Sequence, residues 1–216
     1  MRTRFDMQLE DLSNHLIQMG ALTERAIASA VTAIIEKDAQ MAADAISYEQ
    51  AIDESEAEIE RLCLKLLMQQ QPVAKDLRLI SAVLKMITDM ERIGDHASDI
   101  SEISLVIKSP GEEHLPGLRE MAEATIKMVA DAIDAFVKND LELARKVIAD
   151  DDVVDNYFLD MRALLVEMIQ KGSVDGEVLI DLLMVIKYLE RIGDHATNLA
   201  EWVVFSITGL HKGEEV

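Results

Sequence analysis

Pairs of carboxylates one helical turn apart are the feature of this sequence best suited to chemistry. Glu91 and Asp95 form one pair, and Glu190 and Asp194 form another in an almost identical stretch. Residues four apart in an α-helix project from the same side, so both carboxylates of a pair point the same way. A single pair of this kind is commonly a solvated helix face. The position of the pairs relative to the apolar residues therefore decides whether they form a functional site or a solvated helix face.

Each pair continues a stripe of apolar residues spaced three and four apart. The stripes are Ile80, Leu84 and Ile87 before the first pair, and Leu179, Leu183 and Ile186 before the second. A preceding helix in each copy carries a similar pair, Glu49 with Asp53 and Asp151 with Asp155. Four acidic pairs on core-facing stripes favour a ligand site over a solvated surface.

The pairs also fall in register if their two helices form an antiparallel hairpin. Glu49 with Asp95, and Asp53 with Glu91, are symmetric about Pro72, a residue typical of turns. The equivalent pairs of the second copy are symmetric about a Gly-Ser step. The sequence therefore predicts two clusters of four facing carboxylates. The candidate metal ligands are Glu49, Asp53, Glu91, Asp95, Asp151, Asp155, Glu190 and Asp194.

Four carboxylates in a helical bundle repel one another unless protons, arginines or cations compensate. Oxygen ligands select hard or borderline ions, which are iron, manganese, magnesium, calcium and zinc. Gly94 and Gly193 lie beside the acids and are expected to let a neighbouring helix approach closely. We expect His96 and His195 to be hydrogen-bonded bundle or interface residues rather than ligands.

Two further acids lie near the first cluster without an acidic counterpart in the other copy. Asp99 extends the Glu91 and Asp95 column by one turn, but Asn198 replaces it in the second copy. Glu56 is replaced by Phe158. We treat Asp99 as a possible accessory ligand and give Glu56 less weight.

The helices that must position these acids occur twice. Residues 84–97 recur at 183–196, a displacement of 99, and upstream segments match at a displacement of 102. Each copy has three amphipathic segments with short connections, which predicts an all-α fold of two tandem three-helix bundles. A cluster of Ser, Pro and Gly places the boundary between residues 1–109 and 110–216.

Composition limits the classes of partner and compartment. Acidic residues outnumber basic ones by 41 to 21, giving a net charge of −20. Such a chain is expected to repel nucleic acid and anionic lipid. The single cysteine, Cys63, suits a reducing cytoplasm. No secretory signal or membrane-spanning stretch is visible, so the expectation is a cytoplasmic protein without direct membrane insertion.

The sequence contains no constellation typical of catalysis. It has no glycine-rich phosphate loop and no nucleophile paired with a base. Two alternatives stay open beside a non-enzymatic metal protein. One is a ferritin-like di-iron oxidase or metal-storage protein, although no histidine follows a glutamate by three residues as that class requires. The other is a helical scaffold whose acids are only solvated.

The duplicated Glu-Arg-Ile-Gly-Asp-His-Ala motif and the stretch Gln70–Arg78 resemble the PhoU family over essentially the whole chain. The resemblance implies a six-helix, commonly dimeric cytoplasmic protein, peripheral to the inner membrane through protein partners. It implies multinuclear metal clusters on the eight acids, with iron first among the candidate metals. It further implies contact with the phosphate ABC transporter's ATPase (PstB) and the sensor kinase PhoR. The function expected is negative regulation of the phosphate-starvation response.

Overall fold

The computed structural model of the chain describes residues 2–108 and 115–210. These residues form six α-helices and no strand, so the all-α prediction is confirmed. The helices are α1 (Arg2–Glu36), α2 (Ala39–Gln70), α3 (Lys75–Val106), α4 (Leu118–Lys138), α5 (Leu141–Lys171) and α6 (Gly176–Thr208).

Equivalent residues of the two copies start the second helix of each bundle in the same way. The Asp38 carboxylate accepts hydrogen bonds from the amides of residues 40 and 41, and Asp140 accepts one from that of Leu143. Each aspartate satisfies amides at the start of a helix that have no partner within it. The residues before them, Lys37 and Asn139, both adopt left-handed backbone conformations. The duplication therefore preserves a turn and cap as well as the core.

The two three-helix bundles share one continuous core. Helices α1, α2 and α3 pack together, as do α4, α5 and α6, and the halves meet where α3 packs on α6 and α1 on α4. Ile93 and Ile192, which are equivalent by the repeat, are both fully buried. Gly20 on α1 lies so close to Ile133 on α4 that an added Cβ would clash with it. The buried apolar residues of both copies form a single cluster.

Helices α3 and α6 run antiparallel along the centre of the molecule. Arg78, near the start of α3, lies against Gly209 just after α6. Lys108, just after α3, forms an ion pair with Glu177 at the start of α6. The two hairpin turns, residues 71–74 and 172–175, therefore lie at opposite ends of the molecule.

The predicted centres of the hairpins, Pro72 and the Gly172–Ser173 step, both fall within these turns. The predicted boundary between residues 109 and 110 lies outside the described residues. Within the described helices, no stretch is apolar and long enough to span a bilayer.

Candidate metal centre

The first acidic cluster lies between α2 and α3. Glu49 and Asp53 from α2 and Asp95 from α3 each place a carboxylate oxygen within 4.8 Å of the others. Glu91 lies one turn from Asp95 on α3, and the charges of Asp95 and Asp53 both act on it. The predicted cluster therefore forms, with three acids close together and the fourth beside them.

Two contacts confirm the hairpin register that the sequence predicts. The Thr88 hydroxyl donates a 3.3 Å hydrogen bond to Glu56, a pair that is also symmetric about Pro72. Gly94 faces Ile52, and a Cβ at residue 94 would lie 3.1 Å from the Ile52 Cδ1. Glycine at this position allows α2 and α3 to approach closely beside the acids, as predicted.

Crowding of negative charge shifts the titration of the first cluster. Partial desolvation raises the pKa of Glu49, and the charges of Asp53 and Asp95 raise it further. The pKa of Asp53 is raised for the same reasons, by desolvation and by Asp95. Desolvation and Asp95 also raise the pKa of Glu91, while Arg92 opposes them.

Arg92 is the basic side chain in contact with this cluster. Its guanidinium lies 3.4 Å from the Glu91 carboxylate and 3.1 Å from that of Asp95. The Arg92 side chain is more than half exposed, so the pairing is weakened by solvent. One arginine leaves the four-acid cluster with a net negative charge, and a bound cation would offset the remaining repulsion.

The acids lie at the edge of the bundle core, which corrects the expectation that they occupy the core-facing stripe. Asp53 is exposed, and Glu49, Glu91 and Asp95 are partly exposed. The centre of the buried face of α3 contains Met90, Ile93, Gly94 and Ala97 instead. The cluster is therefore accessible from solvent, and an ion could enter without opening the fold.

The second cluster uses the equivalent helix positions, but its acids are less closely grouped and their surroundings differ. Asp151 and Asp155 from α5 lie near Asp194 from α6. Desolvation raises the pKa of Asp151 most, and the charges of Asp155 and Asp194 raise it further. Gly193 faces the Asp151 carboxylate, as Gly94 faces α2 in the first copy. Among the described acids, however, only the first cluster brings three ligand oxygens within 4.8 Å of one another.

A lysine compensates the second cluster. The Lys187 ammonium forms an ion pair with Glu190 and lies 5.4 Å from the centre of the Phe158 ring. Desolvation and Glu190 raise the pKa of Asp194, whereas Lys187 lowers it. By the repeat, Lys187 and Phe158 replace Thr88 and Glu56, so the hydrogen-bonded pair of the first copy becomes a cation–π pair in the second.

The donors present fit a hard metal ion better than a soft one. The eight acids offer only carboxylate oxygens, the ligands that iron(III), manganese, magnesium and calcium accept. Cys63 is fully buried, and burial raises the pKa of its thiol to about 12, so it offers no thiolate.

Both histidines lie between α3 and α6 at the interface of the two copies, one of the two positions that the sequence left open. His195 is 2.9 Å from the Asp89 carboxylate across α3 and α6, and Asn198 donates a 3.2 Å hydrogen bond to the same carboxylate. His96 stacks on Tyr188, with ring centres 5.4 Å apart. The rings of His96 and His195 are tilted against each other, with their centres 5.7 Å apart.

A cleft of about 620 Å³ opens at this interface. Its polar walls contain Arg92, His96, Asp151, Arg191, Asp194 and His195. Arg92 thus contacts the first cluster and also lines the cleft that holds two acids of the second. Arg92 therefore links the surroundings of the two clusters across α3 and α6.

Sequence reasoning missed Asp89, Tyr188 and the pairing of Lys187 with Glu190. Asp89 and Tyr188 occupy equivalent positions in the repeat but differ in type, and this difference hid them. Asp99 contacts the interface rather than the acidic column, since its carboxylate lies 3.6 Å from His96.

A family model for the PhoU domain matches this chain twice, over residues 16–104 and 118–203. The phosphate-specific transport system accessory protein PhoU homolog of Clostridium acetobutylicum is 36% identical over 96% of this chain and 96% of its own length. The PhoU homolog of Pseudomonas aeruginosa is 35% identical over 95% of this chain and 86% of its own.

Solved structures agree with these sequence matches. The crystal structure of PhoU from Pseudomonas aeruginosa superposes with a TM-score of 0.88 at 33% identity, covering 95% of this chain and all of that one. The phosphate transport system regulatory protein PhoU from Streptococcus pneumoniae gives a TM-score of 0.87 at 28% identity, covering 95% and 98%. With its duplicated motif, matched register and six-helix fold, this chain belongs to the PhoU family.

Proposed function

We propose that this chain is a non-enzymatic regulatory adaptor of phosphate uptake. The observation that carries the proposal is a match along nearly the whole length of proteins named as accessory proteins of the phosphate-specific transport system. Both halves of the chain match the family model, so the resemblance is not confined to one bundle.

Metal binding is the chemistry proposed for the two acidic clusters. Glu49, Asp53, Glu91 and Asp95 would hold the first cluster, and Asp151, Asp155, Glu190 and Asp194 the second. Supporting this are the all-oxygen donor set and the close approach of three carboxylates. A bound cation would neutralise the acids and brace α2 against α3 and α5 against α6. Iron is the first candidate metal, followed by manganese, zinc, magnesium and calcium.

The proposed partners are the ATPase of the phosphate ABC transporter and its sensor histidine kinase, contacted on the cytoplasmic side by a homodimer. In this scheme the transporter senses phosphate, and the adaptor relays its state to the kinase. The adaptor would thereby repress the phosphate-starvation genes when phosphate is plentiful.

Deletion of the gene in its host tests the regulatory role directly. A reporter of a phosphate-starvation promoter is expected to be active in phosphate-rich medium after deletion and silent again after complementation with the intact gene. A reporter that still follows external phosphate in the deletion strain would contradict the proposal.

The ferritin-like alternative finds little support in the site. His96 stacks on Tyr188 and His195 contacts Asp89, so neither ring is directed at three clustered carboxylates. Consumption of oxygen by the purified protein on addition of ferrous iron would nevertheless favour an oxidase over an adaptor.

A further inference from the structure

The end of the α2–α3 hairpin has a charge opposite to that of the whole chain. We call residues 61–78 the basic tip. It contains four basic residues, Arg61, Lys65, Lys75 and Arg78, and one acid, Asp76, for a net charge of +3. Since the chain as a whole carries −20, the rest of it carries −23.

Three of the four basic residues of this tip form no close ion pair, although Arg61 and Lys65 line a cleft that also contains Asp11 and Glu58. Arg61, Lys65 and Lys75 are exposed, and none has a carboxylate within 4.0 Å in the described part of the chain. Several basic residues elsewhere are paired, such as Lys138 with Asp134 and Lys146 with Asp150. Exposed Arg25, Lys85 and Arg162 also form no ion pair within the described residues, but they lie on separate elements, whereas the three of the tip lie together. In a chain with 41 acids, three unpaired cations at one end indicate a surface available to an anionic partner.

The same tip also exposes large apolar side chains. Met68 is 81% exposed and Val73 is 73% exposed, and Leu64 and Leu77 are nearly half exposed. Met68 lies in the last turn of α2, Val73 in the hairpin turn and Leu77 in the first turn of α3. Leu64 lies further back on α2 and lines a cleft with Glu60 and Leu84. Single exposed apolar residues are ordinary, but a group of them at one helical hairpin turn is typical of a docking surface.

The start of α1 belongs to the same end of the molecule. His15 contacts Glu58, so the antiparallel packing of α1 on α2 brings residues 4–7 level with the last two turns of α2. This adds exposed Arg4 and Met7 to the surface, together with Asp6. Arg4 and Asp6 offset each other, so residues 4–7 leave the net charge of the tip at +3.

The equivalent hairpin end of the second copy provides an internal comparison. Residues 163–177, which we call the acidic tip, contain three acids and one lysine. Val166 is 44% and Ile169 62% exposed there, so this tip also exposes large apolar side chains, two against four in the basic tip. Its lysine, Lys171, is paired with Glu167, and Lys108 is paired with Asp175 and Glu177. Both tips therefore expose apolar groups, the basic tip more of them, and their net charges are opposite.

We propose that the basic tip docks the protein end-on to the anionic headgroup surface of a phospholipid bilayer. Apolar side chains at the apex would enter the interface, while the surrounding Lys and Arg side chains contact lipid phosphates. A hairpin turn at one end of the molecule, with Met68 and Val73 largely exposed, can enter a deformable lipid surface without a shape-complementary partner. The proposal does not depend on the regulatory role described above.

The overall charge of −20 does not prevent such docking. The Debye length is about 8 Å at physiological ionic strength, whereas α3, with its 32 residues, is about 48 Å long. Acids in the body of the molecule are therefore screened from a membrane that the tip touches. Their weak repulsion favours an upright orientation in which only the tip makes contact.

Flotation of the purified full-length protein with vesicles tests this proposal. We expect binding to vesicles of phosphatidylglycerol and phosphatidylcholine in equal parts, release at high salt, and little binding to phosphatidylcholine alone. The double variant Lys65→Glu, Lys75→Glu is expected to bind about thirtyfold more weakly or worse, because each basic residue near an anionic surface adds about fivefold. Met68→Ser with Val73→Ser should also weaken binding.

The acidic tip supplies matched controls. Lys108→Glu with Lys171→Glu changes the net charge of the chain by the same amount, and Val166→Ser with Ile169→Ser removes similar apolar groups. Neither pair should affect vesicle binding, and circular dichroism should show that all variants are folded. Equal losses at both tips, or no binding of the wild type to anionic vesicles, would overturn the proposal. If the basic-tip variants lose binding only to the detergent-solubilised transporter, the surface contacts protein and the lipid assignment is wrong.

Discussion

The two acidic clusters began as copies of one another and now differ in how their charge is compensated. In the first, three carboxylates lie within 4.8 Å of one another, and Arg92 contacts the cluster from an exposed position. In the second, Lys187 is held in place by both Glu190 and the Phe158 ring. The register of the hairpin was retained, while the neighbouring side chains changed.

The two clusters differ in the charges of their neighbours as well as in the spacing of their carboxylates. Thr88 and Glu56 in the first copy add an acid to the surroundings, whereas Lys187 and Phe158 in the second add a cation. A fixed cation near carboxylates competes with a metal ion for the same negative charge. We therefore expect the first cluster to bind metal more tightly than the second.

Loss of the first cluster should produce the largest effect. Glu49→Gln with Asp53→Asn removes two of three adjacent carboxylates, and we expect the tighter of two binding events to disappear. Calorimetric titration of the metal-free protein with Mn²⁺ should show two classes of site in the wild type, about tenfold or more apart in affinity. Asp151→Asn with Asp155→Asn should remove only the weaker class.

The matched control for this titration changes two exposed acids of the same helix, Glu54→Gln and Glu60→Gln, and should leave both classes intact. Loss of the tight class in the second-copy variant instead would reverse the ranking of the clusters.

The two glycines beside the clusters should respond differently to alanine. At Gly94, a Cβ would meet the Ile52 Cδ1, the flexible end of a side chain, at 3.1 Å. At Gly193 it would meet the Val154 Cγ1 at 3.2 Å, on a stiff β-branched side chain, and Asp151 Oδ1 at 3.5 Å. Overpacking costs about 1–3 kcal/mol, while replacing Gly by Ala within a helix gains about 1 kcal/mol.

We therefore expect Gly94→Ala to be nearly neutral and Gly193→Ala to destabilise by about 1 kcal/mol, lowering the melting temperature by roughly 2–4 °C. Thermal melts followed by circular dichroism provide the measurement. Gly176→Ala is the control, since no atom lies within 4 Å of a Cβ there. Equal melting temperatures for the two cluster variants would mean that both interfaces relax equally well.

The fold and the hairpin register could be predicted because the sequence repeats. Each copy independently places its hairpin centre at a turn, so Glu49 could be matched to Asp95 without any structure. The edge position of the acids could not be predicted in the same way. Two successive steps of four residues, as from Ile87 through Glu91 to Asp95, rotate about 80° around the helix axis. A pattern that follows the apolar stripe at first therefore leaves the buried face by its end.

Contacts between the copies were beyond sequence reasoning for a different reason. The hydrogen bonds of His195 and Asn198 to Asp89 join α6 to α3 over more than 100 positions. Nothing local in the sequence records how the two bundles are rotated against each other. The basic tip could not be recognised from the net charge of the whole chain, because a value of −20 gives no sign of a short positive segment.

Removing the lysine of the second cluster should make the two clusters more alike. Lys187→Met keeps an unbranched side chain against Phe158 but removes the positive charge beside Glu190. We expect the weaker class of Mn²⁺ site to gain about fivefold in affinity, because one partly screened positive charge, that of Lys187, is removed from its surroundings. The reciprocal change, Thr88→Lys, should weaken the tighter class by a similar factor.

Lys171→Met, which removes an exposed lysine paired with Glu167 far from either cluster, serves as the control and should change neither class. If Lys187→Met left the weaker class unchanged, the separation of the carboxylates rather than the lysine would explain the difference in affinity.

The smallest expected effect is the pH dependence of the metal-free protein. Glu49 and Asp53 have pKa values raised by desolvation and by neighbouring carboxylates. A carboxyl group with a raised pKa in the native state binds its proton more tightly there than in the unfolded chain. Its contribution to stability is therefore fully present below the unfolded pKa, near 4, and is lost as the pH rises through the native pKa.

Glu49→Gln with Asp53→Asn replaces both carboxyl groups by neutral amides, so the variant does not lose this stability as the pH rises. At pH 7 without metal we expect the variant to be more stable than the wild type by a few tenths to about 1 kcal/mol, since these exposed charges are well screened. The difference should shrink as the pH falls toward about 4, where the wild-type acids are also protonated. Thermal melts in chelator across this range provide the measurement, with Glu54→Gln and Glu60→Gln matching the change in net charge. A wild type that melts higher than the variant at pH 7 would mean that hydrogen bonds or Arg92 outweigh the repulsion, and the first cluster would then have no electrostatic need for a cation.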